Sequence, residues 1–181
     1  MTPDTSVPDI FFDTIHDMVV AALGHFYQYD ADLIDINPNE PTISTKIGMW
    51  LFYEFFNWQC CGYRVDCEYN KKGGEEKWAP PNTAHRMMRP DILLHKRATS
   101  PASSSKGNIL FCEVKKERCS PEDEQKIQYS LTDEYNYLFG LSIHDIKQDS
   151  VELKWFKNQD PETIDEKYCY DDKTKQLHMN G

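Results

Sequence analysis

From Asp9 onward, apolar residues recur at steps of three and four: Ile10, Phe11, Ile15, Met18, Val19, Ala22, Leu23 and Phe26. Side chains so spaced share one face of an α-helix, which predicts a helix over about 9–27 with Pro8 or Asp9 at its start. His16 and His25 lie beside that stripe and are expected to be structural. Residues 1–8 predict a loose lead-in, and residues 28–41, rich in turn formers, predict a connector. A second helix is expected from about Thr42 to Cys60, with Ile43, Ile47, Trp50, Leu51, Phe55 and Trp58 as its apolar set and Gly62 as its stop. It is apolar almost all round, which predicts burial on more than one side.

The period then shortens. Polar and apolar residues alternate from Tyr63 to Tyr69, the pattern of a half-buried strand. Residues 70–88 are charged and rich in Gly and Pro, and predict a long loop. Two short apolar runs, about 89–96 and 107–115, predict buried strands. The Ser-rich link between them, 98–106, predicts a flexible hairpin loop. Pro121 opens a third helix, expected to reach about Asn136, with Glu122, Asp123 and Glu124 in its first turn, where the helix dipole favours acids. Strands follow at about 137–146 and 150–156. The polar residues 157–181 are expected to hold a short strand at 167–170 and little else. No internal repeat is visible. This order predicts one α/β domain over 1–181, a mixed central sheet flanked by α-helices on both faces. Its core is expected at about 40–156, with the N-terminal helix and the polar tail as additions.

Composition narrows the classes. A chain of 181 residues with 39% hydrophobic and 13% aromatic content is long and apolar enough to bury a core, which excludes a disordered chain. A net charge of −10 argues against a broadly basic nucleic-acid coat, leaves room for a local basic groove, and suits a site that concentrates divalent cations. The six cysteines (60, 61, 67, 112, 119 and 169) include no Cys-x-x-Cys and no zinc-finger spacing, so reduced, mostly buried thiols are expected. The N-terminus lacks the pattern of a secretory leader, and no apolar stretch could span a membrane. A cytoplasmic protein with no membrane partner is the expectation.

Charge reappears where the two apolar runs should have none. Asp91 heads the first run, and Glu113 and Lys115 stand two apart at the end of the second, hence on one face of a strand. Burying two carboxylates and an ammonium is costly unless they pair or hold a cation. Cleavage of a phosphodiester needs an activated water and neutralisation of phosphate charge, and one or two Mg²⁺ ions supply both. Mg²⁺ takes hard oxygen ligands and keeps several waters, so two or three carboxylates suffice. Asp91 and Glu113 offer such oxygens, and the Val114 carbonyl lies between Glu113 and Lys115. Lys115 is placed to orient the attacking water or to stabilise developing charge. Lys71, Lys72, Lys77, Arg86, Arg89, Lys96 and Arg97 flank the two strands as candidate phosphate contacts, with a solvated basic loop as the plainer alternative. Trp50, Phe55, Phe56 and Trp58 are expected in the core, not as platforms for bases.

Pro90-Asp91 and Glu113-Val114-Lys115 resemble the two halves of the motif of the PD-(D/E)XK nuclease superfamily, whose fold is called restriction-endonuclease-like. The resemblance covers about 40–156. It extends to a group of small bacterial proteins of that fold through Glu40-Pro41-Thr42-Ile43-Ser44, Val65 to Asn70, Arg89 to Ile92, and Glu113 to Lys116. Carried over, it implies Glu40 as a third acid, although Pro41 and Thr42 depart from the pattern of that group. Glu54 on the same helix is the alternative, and Glu68 a weaker one. Gln125 and Tyr129 match the Gln-x-x-x-Tyr spacing of the RecB-like branch. On a helix they share a face, which would set Gln125 on the site or the substrate backbone and Lys126 on a phosphate, against the plain reading of an exposed polar face. The resemblance implies a nuclease dependent on Mg²⁺, with Mn²⁺ as substitute, acting on nucleic acid, foremost DNA, in defence, mobile-element or repair settings, with a homodimer or a partner protein possible. The competing expectation is an inactive nucleic-acid-binding or scaffold protein that keeps the fold, for which the acidic charge and the lack of a DNA-binding module argue.

Overall fold

The stripe beginning near Asp9 forms α1 (Val7–Tyr29), which buries Phe12, Ile15, Val19, Ala22, Leu23 and Phe26. The computed structural model describes residues 7–56, 62–72, 75–78, 88–97, 107–158, 160 and 162–180. Inside the expected connector lies a one-turn helix, α2 (Asp32–Ile36), closed by Asn37 in the left-handed conformation at φ 52°. The next helix, α3 (Glu40–Glu54), starts earlier than the apolar pattern suggests. Asn39 accepts the Thr42 N–H at 3.2 Å and Pro41 occupies the first turn, both favourable at a helix start. Burial of α3 is one-sided: Ile43, Ile47, Leu51 and Phe55 are buried, whereas Met49, Phe52, Tyr53 and Phe56 are exposed. That corrects the expectation of burial all round. The predicted extension to Cys60, with Trp58, falls outside the described residues.

The first strand is β1 (Tyr63–Cys67), and a small separate hairpin, β2 (Lys71–Lys72) and β3 (Glu75–Glu76), lies within the expected loop. The motif strands are β4 (Ile92–Lys96) and β5 (Asn108–Val114). The chain continues through α4 (Pro121–Ser130), β6 (Phe139–Lys147), β7 (Ser150–Lys157), β8 (Thr163–Asp171) and β9 (Gln176–Met179). The main sheet has seven strands in the order β1-β4-β5-β6-β7-β8-β9. Among the described strands only β5 and β6 pair in parallel, and that pair requires a crossover, which α4 supplies. One sheet face packs Ile92, Leu94, Cys112, Val114, Leu141 and Trp155 against α1 and α3. The other packs Leu93, Phe111 and Phe156 with Ile127 of α4, Tyr135 and Tyr137. The mixed sheet with helices on both faces is thus as expected. Gly140 lets α4 come this close, since a Cβ there would fall on the Ile127 side chain.

Two boundaries differ from expectation. The helix α4 ends at Ser130 rather than near Asn136, because Ser130 and Thr132 turn their hydroxyls onto the carbonyls of Ile127 and Tyr129 and compete with the helical ladder. The C-terminal residues are not mostly unstructured: β8 and β9 pair antiparallel and complete the sheet. Glu166 occupies an inward position of β8 where an apolar residue would have revealed the strand, and it is satisfied there by His16 at 3.1 Å and Trp155 Nε1 at 3.3 Å. Among the described residues, no helix is long and apolar enough to cross a membrane.

Candidate metal centre

Because β4 and β5 run antiparallel with Ile92 opposite Cys112, the start of one strand lies beside the end of the other. Asp91, just before β4, therefore meets the end of β5, and its Oδ2 accepts the Val114 N–H at 2.7 Å. Glu113 alternates with Val114 and points to the α4 side of the sheet, where the Lys126 ammonium lies 3.6 Å from its Oε2. The Lys115 ammonium is 4.0 Å from the same oxygen and 3.3 Å from Oε2 of Glu40, the first residue of α3. Two strand ends and the opening turns of two helices thus converge on one spot.

The turn of α4 is itself braced. Ser120 caps the helix by accepting the Asp123 N–H at 3.1 Å, and its hydroxyl donates to Asp123 Oδ2 at 2.8 Å. The other Asp123 oxygen accepts from Lys126 at 2.7 Å, which holds the ammonium between Asp123 and Glu113. Asp123 and Ser120 are participants that sequence reasoning missed. Their signal was local: Pro121 marks Ser120 as the cap, and Asp123 stands three residues before Lys126 on the same helix face.

Charge is poorly balanced at Glu113. It is 2% exposed, and its Oε1 has no hydrogen-bond partner among the described residues. Burial above all, then the neighbouring Asp91 carboxylate, pushes its pKa up to about 8 against the pull of Lys126 and Lys115. Burial likewise raises the pKa of Asp91, opposed by the Val114 N–H and Lys115. Burial works against the charge of Lys115, but Asp91, Asp123, Glu113 and Glu40 outweigh it and hold the ammonium above its ordinary pKa. The same balance holds Lys126 up, through Glu113 and Asp123. Asp123, despite burial, is held below the usual carboxylate range by its hydrogen bonds from Lys126 and Ser120.

A buried and a half-buried carboxylate that resist ionisation, one with an oxygen unpartnered among the described residues, suit a divalent cation with hard oxygen ligands. Among the described residues no three His, Cys, Asp or Glu side chains converge as a ligand group. The protein's share of a coordination sphere would therefore be Asp91, Glu113 and a backbone carbonyl such as that of Val114. Mg²⁺ fits this sparse set because it retains several waters.

Of the three candidate third acids, Glu40 is the one beside Lys115. Glu54 lies at the other end of α3, roughly 20 Å away at about 1.5 Å per residue, and pairs with His25 at 3.0 Å. Glu68 pairs with Arg89 at 3.2 Å. Both histidines are structural, as expected, His16 through Glu166 and His25 through Glu54. Cys67, Cys112, Cys119 and Cys169 are free thiols, though Cys112 alone is fully buried; Cys60 and Cys61 lie outside the described residues.

The candidate phosphate contacts scatter. Lys77 is a correction: it is 2% exposed, donates to Tyr137 Oη at 2.8 Å, and lies 5.5 and 5.3 Å from the ring centres of Tyr69 and Tyr137. Burial pushes its pKa down to about 7. Its backbone bonds to Asn70 and Met88 fold this segment inward, so its ammonium cannot reach a ligand phosphate. Lys96 lies over the Tyr63 ring and Arg97 binds the buried Asp66, both at the far end of β4. At about 3.3 Å per residue they stand roughly 17 Å along the strand from Asp91. Lys71 pairs with Glu76 at 3.6 Å, and Arg89 is exposed near Asp91. Arg86 and the side chain of Lys72 lie outside what is described. On α4, Gln125 is exposed, whereas Tyr129 packs edge-on against Tyr135 with ring centres 5.6 Å apart. Lys126, not the Gln–Tyr pair, is the α4 side chain that reaches Glu113.

Comparison of the chain with family models, with curated proteins and with solved structures returned no match.

Proposed function

We propose that this chain is a metal-dependent nuclease that hydrolyses phosphodiester bonds in nucleic acid, with DNA as its substrate and Mg²⁺ as its cofactor. The reading is carried by one observation: a buried glutamate with an orphaned oxygen, Glu113, beside Asp91 and facing two ammoniums. It is supported by the placement of the two motif halves on adjacent paired strands, β4 and β5, that follow the helix α3.

Asp91 and Glu113 would hold Mg²⁺, with the Val114 carbonyl as a further ligand. When bound, the ion neutralises phosphate charge and makes a coordinated water more acidic. Lys115 is kept protonated by the surrounding carboxylates, so it serves as a hydrogen-bond donor to the attacking water or to a phosphate oxygen, and not as a base. Glu40 accepts from Lys115 and fixes its direction. Burial of Glu113 keeps bulk water from screening these charges. Arg89, exposed and paired only at the surface with Glu68, is the basic side chain best placed to exchange its partner for an incoming phosphate. With Lys77 buried and Arg97 committed to Asp66, a second copy or a partner protein would supply further positive charge.

The test is cleavage of supercoiled plasmid and of labelled single-stranded DNA with Mg²⁺ or Mn²⁺, comparing wild type with Glu113→Gln and Lys115→Ala. Metal-dependent cutting that falls by about 100-fold or more in both variants is expected. Equal behaviour of all three proteins would exclude catalysis at this site.

A further inference from the structure

Lys126 reaches the site from α4, outside the two motif strands, and is held there by an acid of its own. Its ammonium is 2.7 Å from Asp123 Oδ1 and 3.6 Å from Glu113 Oε2, with Asp123 in turn fixed by the Ser120 cap. We propose that Lys126 is a built-in cation standing in for a second metal ion, so that the site binds one divalent ion per chain. This deepens the nuclease reading above and rests on it.

Position is the first argument. Two-metal phosphodiesterases set their ions about 3.5–4 Å apart on shared carboxylates. Here the outer flank of Glu113, between its Oε2 and Asp123, is filled by the ammonium. The other oxygen, Oε1, is buried and has no partner among the described residues, on a residue only 2% exposed. One oxygen thus faces a fixed cation, and the other has a vacant valence for a single metal ion.

Charge is the second argument. Asp91, Glu113, Glu40 and Asp123 bring four negative charges when ionised, and Lys115 and Lys126 bring two positive ones. The remainder equals the charge of one divalent ion. A second would leave a cluster whose Glu113 and Asp123 are buried with an uncompensated excess of two, which their low-dielectric surroundings oppose. A fixed ammonium also needs no assembly at each turnover, and can stabilise a phosphate oxygen with its remaining hydrogens.

The test counts Mn²⁺ bound to the full chain at pH 8, by calorimetry and by the electron paramagnetic resonance of free Mn²⁺. Wild type, Lys126→Ala, Lys126→Arg and Asp91→Asn are compared, with folding of each checked by circular dichroism. The count that survives in Asp91→Asn is the background, and it is subtracted from the count of each other protein. One ion is expected in wild type and in Lys126→Arg, and two in Lys126→Ala, where the vacated flank and Asp123 accept a second. Two ions in wild type overturn the proposal, and so does a single ion in folded Lys126→Ala. If Lys126→Ala does not fold, the wild-type count and Lys126→Arg decide. No Asp91-dependent ion in wild type removes the metal-centre reading itself, and is distinguishable from both.

Discussion

Replacing Lys77 with Met should stabilise the protein at neutral and acidic pH and cease to do so in alkali. The Lys77 ammonium is buried with no carboxylate in contact among the described residues, and its pKa falls from 10.5 to about 7. At about 1.4 kcal/mol per unit, keeping it charged in the native state costs up to about 5 kcal/mol. Met fills similar space without charge. It also deprives the buried Tyr137 hydroxyl of its 2.8 Å partner and removes two ring contacts, together worth about 3 kcal/mol. The net gain is about 2 kcal/mol, or roughly 4–8 °C in Tm for a chain of this size. The sign follows from linkage. Between pH 7 and 10.5 the unfolded chain binds a proton that the native state does not, so wild-type stability rises with pH through that window. Lys77→Met lacks this rise. Its advantage should be full at pH 6, nearly vanish by pH 8, and reverse above about pH 8.5, with little but the lost Tyr137 contacts left near pH 10. Urea unfolding of both proteins at pH 6, 8 and 10 measures the difference. A variant less stable than wild type at pH 6, or a difference that does not change with pH, would refute the reasoning.

Glu113→Gln should stabilise the metal-free protein, because the folded glutamate holds its proton up to about pH 8 against 4.5 when unfolded. The native penalty therefore grows from pH 4.5 to 8, to at most about 5 kcal/mol, and melts at pH 5.5 and 8 should show the variant's advantage widening. Gly140→Ala should destabilise by about 1–3 kcal/mol in urea, since the new methyl meets Ile127 where α4 packs on β6. Glu40→Gln should lower the nuclease rate by about 10-fold or more, while Glu54→Gln, bonded to His25 at the other end of α3, should leave it within about twofold. Rates of plasmid nicking check that pair.

How much of this was legible in the chain depended on whether the cause was local. The cost of burying charge in short apolar runs marked Asp91, Glu113 and Lys115 as a set, and strand pairing does bring them together. Glu40 came from resemblance, because nothing near it in the chain shows that the N-terminus of α3 meets Lys115, 75 residues on. Lys126 was noticed, but as an outward phosphate contact, since the helix pattern does not say that its turn faces Glu113. Lys77 was misread because lysines in a polar Gly-rich loop are normally solvated. The groups that enclose it, Tyr69, Tyr137 and the Met88 backbone, belong to elements brought over it by the sheet and α4. Of the last two strands only 167–170 is legible, for a comparable reason: inward-facing Glu166 of β8 breaks the apolar alternation, and its satisfaction depends on His16 of α1.

The central claim is that Asp91 and Glu113 form a divalent-metal centre. Its most direct test is a crystal of the full chain grown with Mn²⁺ and measured at the manganese absorption edge. One anomalous peak is expected per chain, about 2.2 Å from Glu113 Oε1 and from an Asp91 oxygen, with Lys126 still on Asp123. A map with no manganese between these two carboxylates, at a Mn²⁺ concentration that saturates binding in solution, would contradict it.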